Sequence, residues 1–209
     1  MEKKEKMKII LIGMQGSGKG TYAKLLNEIY HLEHISIGDI LRNEVNKKSK
    51  IGLQIDEILK KGELVDDKII LDLLENKLKN NFVLDGFPRT IKQARELEKI
   101  TKIDKVFYIT LKDETAIKRL TTRIQCEKCG AIYGNRKKPL NDNICDICGS
   151  KLIKRPDDNE ESIKKRLEIF HKETKPLIDF YIKKKILIKI VGEKTIDKVF
   201  SKIEEYLNK

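Results

Sequence analysis

The sequence GMQGSGK at residues 13–19 decides the fold of this chain. It fits the first seven positions of a P-loop, in which backbone N–H groups and a helix N-terminus surround phosphate oxygens. A β-branched run at residues 8–12 precedes it and a helical apolar pattern at residues 22–30 follows, so strand, loop and helix occur in the required order. We predict a phosphate site in which Lys19 reaches the β- and γ-phosphates; a glycine-rich turn without a ligand is the alternative.

Strands and helices continue to alternate outward from this loop. Short apolar runs at residues 34–37, 82–84, 105–110 and 187–191 predict strands. Helical patterns occupy residues 66–78 and 113–124, and a long one at 159–184 should be kinked by Pro176. This alternation predicts an α/β fold with a parallel sheet, interrupted between residues 126 and 155 by a glycine-containing segment with little helical periodicity.

Composition limits the classes of protein that this chain can belong to. Its 209 residues fit one principal domain with an insertion, and 39% hydrophobic residues are enough for a core. Lys and Arg number 45 against 33 Asp and Glu, a net charge of +12 that favours anionic partners. The charged start, residues 1–8, leads into an apolar run of only four residues, too short for a secretory signal or a membrane span. We therefore predict a cytoplasmic protein that does not contact a membrane.

The four cysteines form a pattern of their own. Cys126 and Cys129 are separated by fifteen residues from Cys145 and Cys148, which gives the CxxC–CxxC spacing of structural zinc sites. In a reducing compartment metal ligation is favoured over disulfides. Four thiolates leave no open position for a catalytic water, so we predict a structural Zn²⁺ that staples the insertion, with an iron–sulfur cluster as the alternative.

The loop departs from the generic P-loop at its eighth position. Gly20 stands where Ser or Thr would bind Mg²⁺, and Thr21 follows. The resulting GKGT resembles the nucleoside monophosphate kinases of the adenylate kinase type. Four further segments resemble that family in its order, and together the five cover nearly the whole chain: HISIGDILR (34–42), DGFPRT (85–90), RLTTR (119–123), and RPDD (155–158) with Arg166 beyond it.

The resemblance implies a fold and a division of the chain. The fold would be the three-layer α/β architecture of P-loop NTPases, with a central parallel sheet, an inserted NMP-binding lobe and a small zinc-bound lid. Residues 1–35, 66–122 and 159–209 would form the core, residues 36–65 the NMP-binding lobe and residues 123–158 the lid. The activity implied is reversible transfer of a phosphoryl group from Mg²⁺-bound ATP to AMP, which gives two ADP, in a monomeric enzyme.

Residue roles carried over from the family fall on matching positions of this sequence. Asp85 also ends an apolar run, which suits a carboxylate that organises Mg²⁺ through water. The implied catalytic residues are Lys19, Asp85, Arg89, Arg123, Arg155 and Arg166. The ATP site would comprise Gly16, Ser17, Gly18, Lys19, Gly20, Thr21, Arg119, Arg123, Ile132, Tyr133 and Lys194. The AMP site would comprise Ile37, Arg42, Glu63, Leu64, Val65, Gly86, Phe87, Pro88, Arg89, Gln93, Arg155 and Arg166.

Two residues bear on the choice of base in the acceptor nucleotide. Ile37 replaces the threonine usual in adenylate kinases and cannot make a hydroxyl hydrogen bond, whereas the Gln93 amide can read the donor and acceptor edge of adenine. AMP is favoured, and a UMP or CMP kinase is the alternative. A zinc-ribbon nucleic-acid-binding protein is disfavoured, because the ribbon holds only one aromatic residue, Tyr133, and a short basic cluster at residues 136–138.

Overall fold

The computed structural model describes residues 6–75 and 77–208, so residues 1–5 of the charged start lie outside it. Within this range a five-stranded parallel sheet has the order β2-β3-β1-β4-β8. Its strands are β1 (Lys8–Ile12), β2 (Glu33–Ser36), β3 (Phe82–Asp85), β4 (Lys105–Thr110) and β8 (Leu187–Val191). The predicted α/β fold with a central parallel sheet is confirmed.

Helices cover both faces of the sheet. They are α1 (Lys19–Tyr30), α2 (Ile37–Asn46), α3 (Lys50–Lys61), α4 (Asp67–Glu75), α5 (Ile91–Ile100), α6 (Asp113–Thr121), α7 (Glu160–Ile169), α8 (Pro176–Lys183) and α9 (Ile196–Leu207). Because side chains alternate along a strand, Ile10 and Ile12 pack into one apolar cluster and Ile9 and Leu11 into another on the opposite face. The central strand is thus buried on both sides. The predicted helix at 66–78 corresponds to α4, and position 76 lies outside the described residues.

Helices α2 and α3 form a compact pair over residues 37–61. Serine side chains cap both N-termini: Ser36 Oγ accepts from Asp39 N at 3.2 Å, and Ser49 Oγ accepts from Gly52 N at 2.9 Å. A Cβ at Gly52 would lie 2.0 Å from Glu44 O, so only glycine permits this approach of the two helices.

The cysteine-containing segment folds as a three-stranded antiparallel sheet of order β6-β5-β7. Its strands are β5 (Ile124–Cys126), β6 (Ile132–Tyr133) and β7 (Leu152–Ile153). The predicted helix over 113–124 was therefore wrong at its end. Helix α6 stops at Thr121, because Ile124 pairs with Tyr133 across the new sheet and its backbone has to be extended.

The long helix predicted over 159–184 is divided into two. A π-helical turn, Phe170–Thr174, separates α7 from α8, and Lys175 N donates to Phe170 O at 2.8 Å. Pro176 lacks an N–H and its ring would clash with the carbonyl four residues earlier. The wider turn relieves this clash, so the break begins at Phe170 rather than at the proline. Among the described residues, no helix has the length and apolar character needed to span a bilayer.

Candidate active site

A cleft of about 480 Å³ opens at the carboxyl ends of the parallel strands. The P-loop follows β1 there, and Ser36 and Asp85 end the two strands beside it and are register partners. Ligands of open parallel sheets bind at this edge. Most predicted nucleotide-site residues line the cleft: Gly16, Gly18, Lys19, Gly20, Thr21, Ile37, Arg42, Glu63, Leu64, Val65, Asp85, Gly86, Pro88, Arg89, Arg119, Arg123, Ile132, Tyr133, Arg155 and Arg166.

Four predicted residues are not among the described residues that line the cleft. Ser17, Phe87 and Gln93 are buried, and Lys194 is exposed. The Gln93 amide is fixed: Oε1 accepts from Arg89 N at 2.7 Å, and Nε2 donates to Asp67 Oδ1 at 2.7 Å. One N–H and one oxygen lone pair of this amide remain for the proposed reading of a base by Gln93.

The phosphate loop is shaped by glycine. Gly18 has φ 99° as the N-cap of α1, and a Cβ there would lie 2.9 Å from the Tyr22 ring. Lys19 Nζ donates to Gly13 O at 2.7 Å and to Met14 O at 3.1 Å. Burial lowers the pKa of Lys19 to about 8, against the opposing effect of Asp85. An anionic phosphate in the loop would raise this pKa again and further favour the charged lysine.

Asp85 lies directly against the loop. Its Oδ2 would be 3.3 Å from a Cβ at Gly20, so glycine at the eighth loop position leaves room for this carboxylate. Burial opposes ionisation, but the neighbouring His34 side chain and the charge of Lys19 hold the pKa of Asp85 below its usual value. Gly20, which departs from the generic loop sequence, and Asp85 at the end of β3 therefore belong together: the glycine lets an ionised carboxylate lie beside the phosphate loop.

Arginines converge on two carboxylates at the other side of the cleft. Arg123 Nε and Nη2 donate to Asp158 at 2.7 and 2.6 Å, and Arg166 Nη2 donates to Asp158 Oδ1 at 3.0 Å. Arg155 Nε and Nη2 donate to Asp157 at 3.1 and 2.9 Å, and Arg166 Nη1 donates to Asp157 Oδ2 at 3.2 Å. These arginines hold the pKa of Asp157 far below its usual value despite burial. Both aspartates belong to the RPDD segment identified in the sequence, but their pairing with these arginines was not predicted.

Arg89 and Arg42 complete the basic surface of the cleft. Arg89 Nε donates to Gly86 O at 3.0 Å, which folds the turn before α5 around the guanidinium. Arg42 pairs with Asp39 at 2.6 Å and lies 3.9 Å from Asp157 Oδ2. Burial lowers the pKa of both arginines. The cleft therefore concentrates guanidinium groups where they can bind phosphate oxygens in pairs.

The ribbon, residues 124–153, contacts the core above the phosphate loop. Arg119, on the core side, donates to Gly16 O and Gly192 O, both at 3.1 Å. Arg136, on the ribbon, donates to Lys194 O at 2.9 Å and Tyr22 OH at 3.2 Å. Lys24 Nζ donates to Gly130 O at 2.9 Å. Arg136 was not among the residues predicted for the nucleotide site. The fact that it is an arginine could have indicated a role there, since arginine is rare in this lysine-rich chain.

The four cysteine sulfurs lie within 4.8 Å of one another. Cys126 Sγ and Cys148 Sγ are 3.4 Å apart, and Cys129 Sγ and Cys145 Sγ are 3.5 Å apart. Zn–S bonds of about 2.3 Å would place tetrahedral sulfurs about 3.8 Å apart, so the donor set fits a zinc ion. Two of the cysteines are buried against Ala131, Tyr133 and Leu152 in a small cluster of the ribbon, far too small to form a core of its own.

Comparison with known proteins gives one consistent family. A family model described as adenylate kinase matches residues 11–186. A curated adenylate kinase of Caldicellulosiruptor saccharolyticus is 44% identical over 201 residues, which covers 91% of this chain and 94% of that protein. Those of Methanosarcina barkeri and Clostridium tetani are 44% and 40% identical and cover 97% and 96% of this chain, and 99% and 98% of their own lengths.

Proposed function

Because the chain belongs to the adenylate kinase family, we propose how its residues divide the work of the reaction that transfers a phosphoryl group from ATP to AMP and yields two ADP. The observation that carries this proposal is the convergence of Lys19 and five arginines on one cleft, the arginines being Arg42, Arg89, Arg123, Arg155 and Arg166. Phosphoryl transfer requires little covalent chemistry from the protein, and depends on neutralising charge and aligning the two nucleotides.

The donor nucleotide occupies the P-loop side. Backbone N–H groups of Gly16, Ser17, Gly18, Gly20 and Thr21 surround its phosphates, and Lys19 leaves the loop carbonyls to bind the β- and γ-phosphates. Arg119 and the ribbon residues Ile132 and Tyr133 cover its nucleoside end. Lys194, whose backbone O accepts from Arg136 in this structure, supplies a backbone contact.

The acceptor nucleotide occupies the side of α2, α3 and the turn after β3. Arg42, Arg89, Arg155 and Arg166 bind its phosphate, while Arg123 neutralises charge on the group in transfer. The turn Gly86, Phe87 and Pro88 lies along the nucleotide, and Ile37, Gln93 and the backbone of Glu63, Leu64 and Val65 surround its base. The apolar Ile37 is 2% exposed, so its methyl groups pack against the base without a hydrogen bond.

Mg²⁺ and Zn²⁺ have different places in this proposal. The ionised Asp85 fits a Mg²⁺ that arrives with ATP and is held through water, and such an ion neutralises phosphate charge during transfer. The four cysteines can hold a metal such as zinc. With all four positions taken by sulfur, that ion stabilises the ribbon and takes no part in the reaction.

The same proposal assigns moving parts. Residues 36–65 form the acceptor lobe and residues 123–158 a lid, and both close on a core of residues 1–35, 66–122 and 159–209. Lid closure would exclude water, so that the phosphoryl group passes to AMP rather than to water. The short ribbon sheet and the compact pair of α2 and α3 support this division. The monomeric state, the cytoplasmic location and the lack of nucleic-acid or membrane partners stay predictions.

Product analysis tests the acceptor assignment. Mg·ATP is mixed with AMP, CMP, UMP or GMP, with and without a chelator, and nucleotides are separated by chromatography. We expect ADP from AMP in large excess over the products of the other acceptors, and none with the chelator. The substitution Ile37→Thr should raise the preference for AMP, since a hydroxyl contact contributes a few kcal/mol to discrimination at most. A wild-type preference for CMP or UMP would overturn the assignment of the base pocket and leave the fold and the phosphate chemistry in place.

A further inference from the structure

Arg136 is a charged side chain at the donor half-site to which the proposed function assigns no role. It comes from the ribbon and reaches across to the core, where it donates to Lys194 O at 2.9 Å and Tyr22 OH at 3.2 Å. Its Nη1 also lies 3.1 Å from the position of a Cβ on Gly18. The guanidinium therefore touches both the phosphate loop and the turn that follows β8.

Arg119 touches the same two segments. It donates to Gly16 O in the phosphate loop and to Gly192 O in the turn after β8. Both guanidinium groups thus contact the phosphate loop and residues 192–194, and burial and then the positive charge of Arg136 lower the pKa of Arg119. One arginine is anchored to the core and one to the ribbon, and both bracket the space between the phosphate loop and residues 192–194.

A nucleotide on the phosphate loop has to place its base in this space. Its phosphates are held at Gly16–Thr21, so its nucleoside extends away from the loop, and the bracketed space lies next to Gly16 and Gly18. Guanidinium planes stack on aromatic faces, and this contact is stronger when it is shielded from water. Arg119 and Arg136 are both suited to such a contact.

We propose that Arg136 is a further binding residue for the donor nucleotide, and that its guanidinium covers the face of the base opposite to Arg119. The inference rests on the proposed donor half-site. Stacking reads the face of a base and not its hydrogen-bonding edge, so the contribution of Arg136 should be the same for adenine and guanine. Its present bond to Lys194 O holds the guanidinium at the rim of the site until a base enters.

Lid docking alone is the competing explanation for the contacts of Arg136. Lys24 offers a direct comparison, because its Nζ also joins the core to the ribbon, at Gly130 O, and touches neither residues 192–194 nor Arg119 in the described hydrogen bonds. Removing Lys24 weakens docking and leaves the base contact intact. Lys138, an exposed cation of the same ribbon, serves as a control for the loss of one positive charge.

Calorimetric titration of Arg136→Ala, Lys24→Ala and Lys138→Ala with four ligands tests the proposal. The ligands are hydrolysis-resistant imido analogues of ATP and GTP, inorganic tripolyphosphate, and AMP, and zinc content is measured for each variant. We expect Arg136→Ala to weaken both nucleotide analogues about tenfold, as a shielded cation–π contact predicts. Binding of tripolyphosphate and AMP should change less than twofold, and the other two variants should lose less than threefold for any ligand.

Other results would overturn it, each in a different way. An equal loss for tripolyphosphate would assign Arg136 to the phosphates, and an equal loss in Lys24→Ala would assign it to lid docking. Unchanged or tighter analogue binding by Arg136→Ala would show that Arg136 only donates a hydrogen bond to Lys194 O and does not contact the base. A wild-type protein that binds neither analogue would instead refute the donor half-site itself.

Discussion

The substitution Asp158→Asn should cost the fold a large share of its stability. The Asp158 side chain is fully buried and accepts two hydrogen bonds from Arg123 and one from Arg166. Asparagine keeps the shape of the side chain but removes its charge, and its NH₂ group would face a guanidinium N–H. Arg123 would then lose its carboxylate partner, and the largely buried Arg166 would keep only its contact with Asp157.

The size of the loss follows from this environment. Removing one partner of a buried ion pair typically costs about 3–5 kcal/mol. The remaining asparagine oxygen can still accept one hydrogen bond, so we expect about 3 kcal/mol, which corresponds to a fall in Tm of roughly 6–12 °C for a chain of this length. The loss should be specific to this site, because Arg123 immediately precedes the ribbon and Arg166 lies on α7, and Asp158 is the group that joins them.

Urea unfolding followed by far-UV circular dichroism, with zinc present throughout, measures this loss. Glu160→Gln is the matched control, since it lies two residues away and removes a carboxylate whose pair with Lys164 is exposed. Exposed pairs of this kind contribute less than about 0.5 kcal/mol. If Asp158→Asn lowers the free energy of unfolding by less than about 1 kcal/mol, or if the control lowers it equally, the argument that this carboxylate joins the ribbon to α7 is refuted.

Three further predictions concern the reaction, the metal and the pH dependence. Arg89→Ala should lower kcat at least roughly a hundredfold with the fold intact, because it removes charge stabilisation in the transition state; kcat near the wild-type value would contradict its role. Cys145→Ala should lose zinc and melt earlier, since the metal contributes folding free energy; unchanged zinc stoichiometry would exclude the four-sulfur site. Lys19 has a pKa of about 8 when the loop is empty, so binding of an ATP analogue at pH 8 should take up protons and weaken as the pH rises further. Calorimetry in buffers of different ionisation enthalpy measures this uptake, which Lys19→Met should abolish.

Much of the fold was predictable from local sequence. Strand β4 was predicted with its observed bounds, because a strand buried on both faces is a continuous apolar run that ends where polar residues begin. The end of α6 and the π-helical turn were not predicted, since both depend on contacts from distant residues: the pairing of Ile124 with Tyr133, and the packing around Pro176. Local periodicity does not contain this information.

The pairing of charged residues in the candidate site was likewise only partly predictable from the sequence. The sequence motifs predicted that the arginines share one cleft, and the cleft of the structure is lined by them. The motifs did not show which carboxylates pair with them, or that Arg136 bonds to Lys194 O from the ribbon. A hydrogen bond between residues 58 positions apart depends on how the ribbon docks, and nothing within the ribbon sequence specifies that.

The division between lysine and arginine in this chain has a geometric reason. An exposed lysine such as Lys164 makes one contact within a turn of its helix, with Glu160 at 2.8 Å. In the cleft, Arg123 and Arg155 each bind one carboxylate through two nitrogens. A guanidinium held in this way already has the orientation that two phosphate oxygens require, so little reorganisation is needed when a nucleotide replaces a carboxylate oxygen. A lysine would supply the same charge without the fixed plane, and for that reason arginines of this lysine-rich chain line the cleft that we propose binds the phosphates.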